Sequence, residues 1–183
     1  MEVDKEILAD PVAGSERLLS EYGDRLFNTA RKMCCNEADA EDLTFKTLER
    51  VVLKIGTYKG NSSFFSWMCS ILVNFIRMDA RRKIPNALEF CEDVPETADV
   101  CPTPAEWAEK TDEACLLRAI IRNLPLEFRE VLVLFYYDGM SIGEIVGALD
   151  ISEGTVFSRL HRARERIRRE LLRLGRDLHS FAS

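Results

Sequence analysis

Ser152-Glu153-Gly154-Thr155-Val156-Phe157-Ser158-Arg159-Leu160-His161-Arg162-Ala163-Arg164-Glu165-Arg166 is the stretch whose reading decides the fold. Ser152 is placed to cap a helix, because its hydroxyl can accept from the unpaired amides of the first turn. Behind it Val156, Leu160, Ala163, Ile167, Leu171, Leu174 and Leu178 recur every three or four residues. That period lays one apolar stripe along a long helix. Phe157, Ser158, His161 and Arg162 then emerge on the opposite side of the first turns. Arg159, Arg164, Arg166, Arg168, Arg169, Arg173 and Arg176 flank them with positive charge. An arginine-rich helix by itself is usually a solvated face. A helix that is capped, apolar on one side and basic on the other is also shaped for a DNA major groove.

The preceding residues favour the second reading. Leu124-Pro125 opens a helix through Phe128, Val131, Leu132 and Phe135 that Tyr136-Tyr137-Asp138-Gly139 ends. Ser141-Ile142-Gly143-Glu144 has the form of a capping box, a serine with glutamate three residues on. It starts a short helix through Ile145 and Leu149, and Asp150-Ile151-Ser152 is a turn of the length found in a helix-turn-helix. Asp112 to Asn123, with Ala114, Leu117, Ala119, Ile120 and Ile121, reads as a helix that packs beneath it.

On these residues, Ser141 to Arg166 resembles region 4 of a bacterial RNA polymerase sigma factor of the small extracytoplasmic-function group. The phrase Thr155-Val156-x-Ser158-Arg159-x-x-Arg162-Ala163-Arg164 is similar to the recognition helix of that family. The resemblance implies contacts to a −35 promoter element from Thr155, Phe157, Ser158, Arg159, His161, Arg162 and Arg164. Phe157 stands where the family commonly has arginine.

The first half of the chain supplies the rest of such a protein. Leu18, Leu19, Tyr22, Leu26, Phe27, Ala30 and Met33 keep helical spacing from Gly14 to Met33. Asn36 is placed to cap a second helix, Glu37 to Ile55, with Ala40, Leu43, Thr44, Thr47, Leu48, Val51 and Ile55 inward. Its acidic start, Glu37, Asp39, Glu41 and Asp42, suits the helix dipole. Ala40-Glu41-Asp42-Leu43-Thr44, followed by Leu48 and Val51, also resembles the region 2 helix that docks on the polymerase largest subunit. The resemblance implies polymerase contacts from Asp39, Glu41, Asp42, Leu43 and Leu48. Phe45-Lys46 replaces residues that are usually polar and acidic there.

A turn-rich loop, Gly56 to Ser63, leads to a helix from Phe64 to about Lys83 that is apolar almost all round. One polar stripe crosses it, formed by Ser70, Asn74, Arg77 and Arg81. From spacing alone that stripe is equally the wet side of a core helix. Tyr58-Lys59-Gly60-Asn61-Ser62 with Phe64, Trp67 and Asn74 resembles the family's motif for the promoter −10 element. The residues implied are Tyr58, Lys59, Asn61, Trp67, Ser70, Asn74, Arg77 and Arg81. An aromatic ring stacks on an unstacked base, an amide reads its edge, and Lys or Arg holds phosphates.

Pro85, Pro95, Pro102 and Pro104 exclude a long helix between residues 84 and 111, where periodicity also stops. Charge is uneven along the chain. Residues 1–83 hold 13 basic and 13 acidic side chains and residues 112–183 hold 11 and 11, so the net −6 lies wholly in residues 84–111, with seven acids against Lys110. An acidic linker of 28 residues spans at most about 90 Å when extended, more than two duplex turns of about 34 Å each. Its acids are candidates to imitate nucleic acid over Arg77, Arg81 or the Arg159–Arg169 surface.

With 183 residues, 46% hydrophobic and 31% charged, the chain is long enough for two small domains and their cores. No apolar run approaches a bilayer span, and the N-terminus lacks the basic-then-apolar form of a signal peptide. A cytoplasmic location follows as the expectation. The six cysteines form no CxxC pair and the two histidines lie far from most of them, which argues against a zinc site. Neither a nucleophile–base set nor a phosphate loop is present, so the chain reads as a non-enzyme with no cofactor, metal or small-molecule substrate.

The expected architecture is all-α. An N-terminal extension (1–13) precedes a region 2 helical bundle (14–83), an irregular acidic linker (84–111) and a region 4 helix-turn-helix unit (112–183). The resemblance implies a sigma factor with core RNA polymerase and promoter DNA as partners, together with an anti-sigma factor. A helix-turn-helix regulator that is not a polymerase subunit is the alternative.

Overall fold

The computed structural model describes residues 11–34, 36–83 and 113–176. The acidic linker, the first ten residues and Leu178 lie outside them, as do the expectations placed there. The described residues contain helices and no strand. Helix α1 is Pro11–Met33, α2 Glu37–Lys54, α3 Phe64–Lys83, α4 Glu113–Arg122, α5 Leu126–Leu132, α6 Ile142–Leu149 and α7 Glu153–Arg173. A short 3₁₀ turn, Ile55–Thr57, follows α2, and a π turn, Val133–Tyr137, continues α5. No described helix is long and apolar enough to cross a membrane.

Local chemistry sets the helix starts. Asn36 Oδ1 accepts from the Asp39 amide at 2.7 Å and begins α2. Ser63 Oγ accepts from the Ser66 amide at 3.2 Å in the first turn of α3. The capping box of α6 is complete: Ser141 Oγ accepts from the Glu144 amide at 3.3 Å, and Glu144 Oε2 accepts from the Ser141 amide at 3.0 Å. Two threonines enter the α2 core because each hydroxyl bonds back along the helix, Thr44 to the Ala40 carbonyl at 2.7 Å and Thr47 to the Leu43 carbonyl at 2.6 Å.

Helix α3 is central. Phe64, Phe65, Met68, Cys69, Leu72, Val73 and Ile76 are all buried, because α2 and α1 cover one side and α6 covers another. Leu72 is fully enclosed, so truncation to alanine would cost about 2–5 kcal/mol. The two halves, which the sequence separates by a long linker, share one continuous apolar core. It runs from Leu18 and Leu26 of α1 through α2 and α3 to Val131, Leu134, Ile145, Leu149, Val156 and Leu160. Two smaller clusters fix α4 to the underside of α7, one around Phe128 and Ala163 and one around Ile120 and Leu171.

Polar contacts lock the seam between the halves. Arg77 Nε and Nη2 donate to the two Glu130 carboxylate oxygens at 2.8 and 2.7 Å, and Nη1 donates to the Leu149 carbonyl at 3.3 Å. Thr29 donates its hydroxyl to Asp138 at 2.8 Å, and Arg25 donates to the Asp138 carbonyl at 3.0 Å. Ser63 and Ser66 both reach Glu144, the first to its carboxylate at 2.7 Å and the second to its carbonyl at 3.3 Å.

Candidate nucleic-acid and polymerase interfaces

Helix α7 presents the face that its periodicity requires. Val156, Leu160, Ala163 and Leu171 are buried, which turns Phe157, Ser158, His161 and Arg162 to the exposed side. Ser152 Oγ accepts from the Thr155 amide at 3.2 Å, and Thr155, half-buried, lies at the base of this face. The Ser158 hydroxyl donates to the Thr155 carbonyl at 3.0 Å, a local bond that a competing acceptor can replace. Phe157 stands out at 54% exposure. Arg159 and Arg164 lean away to protein partners: Arg159 Nη2 meets Glu127 at 3.3 Å, and Arg164 Nε donates to the Tyr136 hydroxyl at 2.9 Å.

In the loop before α3, Tyr58 donates its hydroxyl to the Ser62 carbonyl at 2.6 Å and packs edge-on against Phe64 at 5.2 Å and tilted against Trp67 at 5.3 Å. These contacts hold Lys59 and Asn61 outward on a bend in which Gly60 has φ 74°, a value that costs glycine little. Asn74 and Arg81 are exposed, and the Ser70 hydroxyl is occupied by the Trp67 carbonyl at 2.6 Å. Arg77 departs from the expected open stripe. It is turned into the seam, and its anionic partner is Glu130 of the same fold.

Burial raises the pKa of Glu130 from its ordinary value, and the Arg77 guanidinium pulls it back. The hydrogen bond that Arg77 donates to Glu130 in turn raises Arg77, against the burial that lowers it. We take the pair as ionised, because a bidentate guanidinium–carboxylate geometry compensates desolvation better than a neutral acid beside a buried cation.

On α2, Glu41 is exposed, Asp42 pairs with Lys46, and Asp39 pairs with Lys83. Burial works against the Lys83 ammonium, but its hydrogen bonds to Asp39 and Asp79 outweigh it and raise its pKa well above the ordinary value. Leu43 and Leu48 lie inward, as their spacing implied, which leaves little of either for the polymerase contact that the resemblance implies. They are 5% and 8% exposed, because they fall on the stripe that packs against the neighbouring helices. They hold α2 in place and leave the surface to others. Phe45 at 56% and Leu53 at 72% are the large apolar groups that face outward. Both interrupt the polar side of the helix, and that was the available signal in the sequence. Cys34 and Cys69 are buried, and burial pushes the Cys69 thiol well up, which makes it a poor nucleophile.

Fold and site together define an all-helical protein in which a second helical bundle packs against a helix-turn-helix unit. Sigma-70 region 2 matches residues 18–84, and Sigma-70 region 4 matches residues 116–167. The chain is 32% identical over 154 residues to the ECF RNA polymerase sigma factor SigE of Mycolicibacterium smegmatis, covering 84% of this chain and 60% of that protein. It is 31% identical over 160 residues to the RNA polymerase sigma-E factor of Streptomyces coelicolor, covering 87% and 85%. The sigma factor RpoE of Bartonella quintana, solved with the anti-sigma factor NepR, has the same fold at TM-score 0.65 and 23% identity, covering 88% of this chain and 98% of that one. CnrH, solved with the cytosolic domain of CnrY, superposes at TM-score 0.64 and 20% identity, covering 92% and 94%. The chain belongs to the extracytoplasmic-function sigma factors of the sigma-70 family.

Proposed function

We propose that this sigma factor binds core RNA polymerase and directs initiation by reading a −35 duplex with region 4 and a melted −10 strand with region 2. The observation that carries the reading is the outward face of α7, with Phe157, Ser158, His161 and Arg162 exposed over a capped helix start. Thr155 lies at its edge, and Arg159 and Arg164, which Glu127 and Tyr136 hold in the free chain, flank it as candidate phosphate contacts. The −10 reading is supported by Lys59 and Asn61, exposed next to the Tyr58–Trp67 aromatic pair, and by Asn74 and Arg81, exposed further along α3. Residues 14–83 and 112–183 serve as the two functional units. Polymerase docking is assigned to α2, with Glu41, Asp42 and Phe45 on the surface and Asp39 at its edge. The chain carries out no chemistry of its own; it acts in the cytoplasm, where core polymerase is found.

An anti-sigma factor is the further partner proposed, since the two solved relatives of this fold were captured with one or with the cytosolic domain of another protein. Reconstituted transcription tests the core of the reading. Core polymerase with this chain should initiate at a selected promoter, and a Ser158→Ala/Arg162→Ala variant should lose −35 protection in a footprint. Full protection by that variant would refute the −35 assignment. Failure to copurify with core polymerase would favour a helix-turn-helix regulator.

A further inference from the structure

Phe157 is out of keeping with the face on which it stands. Its neighbours on the exposed side of α7 are Gly154, Ser158, His161 and Arg162, and it alone among them is large and apolar. It joins none of the apolar cores and, among the described residues, no ring or cation contact. Exposed Tyr136 and Tyr137, by contrast, each carry a cation, Arg164 at 5.7 Å and Lys32 at 4.8 Å from the ring centre. The fold gives Phe157 no such partner, although an apolar group left in water forgoes the gain that burial would bring.

Position adds direction. Helical side chains lean toward the preceding turn, which here is the capped first turn with Glu153 and Gly154. Gly154 is exposed, and nothing lies within 4 Å of where a Cβ would sit. A recognition helix meets base edges at this N-terminal end. The hydroxyls of the same turn are engaged locally, Ser152 with the Thr155 hydroxyl at 2.8 Å and Ser158 with the Thr155 carbonyl at 3.0 Å. The start of α7 therefore offers a groove an aromatic ring beside an open glycine. That ring has no hydrogen-bond donor or acceptor. Of the four bases only thymine shows an apolar group, its C5 methyl, on the major-groove edge.

We propose that Phe157 selects thymine at one position of the −35 duplex by packing on its C5 methyl. The inference rests on the −35 reading of α7. Where an arginine would contribute charge, Phe157 contributes discrimination by shape. Exposed Arg162 and Arg169 on the same helix keep its attraction to the phosphate backbone.

The experiment titrates holoenzyme, made from the full chain and core polymerase, against a dye-labelled promoter duplex selected from a library randomised across the −35 element. Deoxyuridine then replaces each thymine of that element in turn, in either strand. The replacement removes the methyl and leaves every hydrogen-bonding group of the base pair. One buried methyl is worth about fourfold in affinity, so one replacement should weaken wild-type binding by about that factor. In Phe157→Ala, which should keep the fold because the side chain is exposed, the same replacement should have no effect. A selected element without thymine, wild-type binding indifferent to deoxyuridine at every position, or a methyl effect undiminished in Phe157→Ala would overturn the inference. Ser158→Ala/Arg162→Ala in the same titration separates it from the −35 reading. If that variant binds the selected duplex as tightly as wild type, the reading falls and the inference falls with it. If it binds more weakly while the methyl counts for nothing, only the inference fails.

Discussion

Arg164 of α7 is held by Tyr136. Its Nε donates to the tyrosine hydroxyl at 2.9 Å, and its guanidinium carbon lies 5.7 Å from the centre of the same ring. Fixing a long side chain beforehand lowers the entropy lost when it meets a phosphate. Tyr136→Phe keeps the ring and removes the acceptor. A single such bond is worth about 0.5–1.5 kcal/mol, so affinity for a −35 duplex should fall roughly two- to tenfold. The salt dependence should stay, because Arg164 keeps its charge, while Arg164→Ala should flatten the salt slope by about one phosphate contact. Anisotropy titrations at several salt concentrations measure both. An unchanged slope in Arg164→Ala would remove Arg164 from the phosphate contacts.

Asp150 ends α6 in the left-handed conformation at φ 54°, and its amide donates to the Val146 carbonyl. A non-glycine residue tolerates that backbone at some cost, less for aspartate than for a branched side chain. Asp150→Gly is expected to leave thermal stability equal or higher, and Asp150→Val to lower it by about 1–2 kcal/mol. Thermal denaturation gives the order, and a valine variant as stable as wild type would contradict it.

Glu144 ties a cap to a seam and predicts a pH dependence. The hydrogen bond from Ser63, then that from the Ser141 amide, lowers its pKa below the ordinary 4.5. A depressed acid stabilises the fold above its unfolded pKa, and that contribution is lost as pH falls through the depressed folded value. Glu144→Gln should therefore be less stable than wild type at neutral pH, with the gap closing on acidification below about 4.5. Asp138 and Glu130, both raised by burial, act in the opposite sense and favour the folded state as they take up protons. Denaturant titrations across this range decide the matter, since a gap that persists undiminished in acid would exclude the Glu144 assignment.

The α2 surface separates packing from docking. Leu43→Ala should cost about 2–5 kcal/mol of stability and affect polymerase binding only through folding. Phe45→Asp should leave the melting temperature near wild type, since Phe45 is exposed, and weaken competition for core polymerase. Equal polymerase affinity for Phe45→Asp and wild type would take Phe45 off the docking face.

How much of this was legible depends on the distance each feature spans in sequence. The caps at Asn36, Ser141 and Ser152 and the stripe of α7 were readable, because each is decided within a few residues. The inward face of Leu43 and Leu48 was equally local and readable from spacing, although the family likeness also places both among the docking residues. The seam was not legible. Thr29 and Asp138 are 109 residues apart, and Arg77 and Glu130 are 53 apart, so periodicity could mark Arg77 only as polar. The clue was Glu130 itself, a lone acid in the run Phe128 to Leu134 that is buried throughout. An acid in such a run needs a cation from elsewhere in the fold.

The π turn at Val133–Tyr137, where the Asp138 amide reaches back five residues to the Val133 carbonyl at 3.1 Å, makes chain length here a matter of angle. Each helical residue advances the backbone by about 100°, so the additional residue in this turn sets the bearing at which Asp138 meets Thr29. Exposed Tyr136 and Tyr137 can change identity at little cost to the fold, whereas dropping any one residue would convert the turn to ordinary helix and swing Asp138 away from α1. For the fold, the number of residues at these two exposed positions matters more than which residues they are.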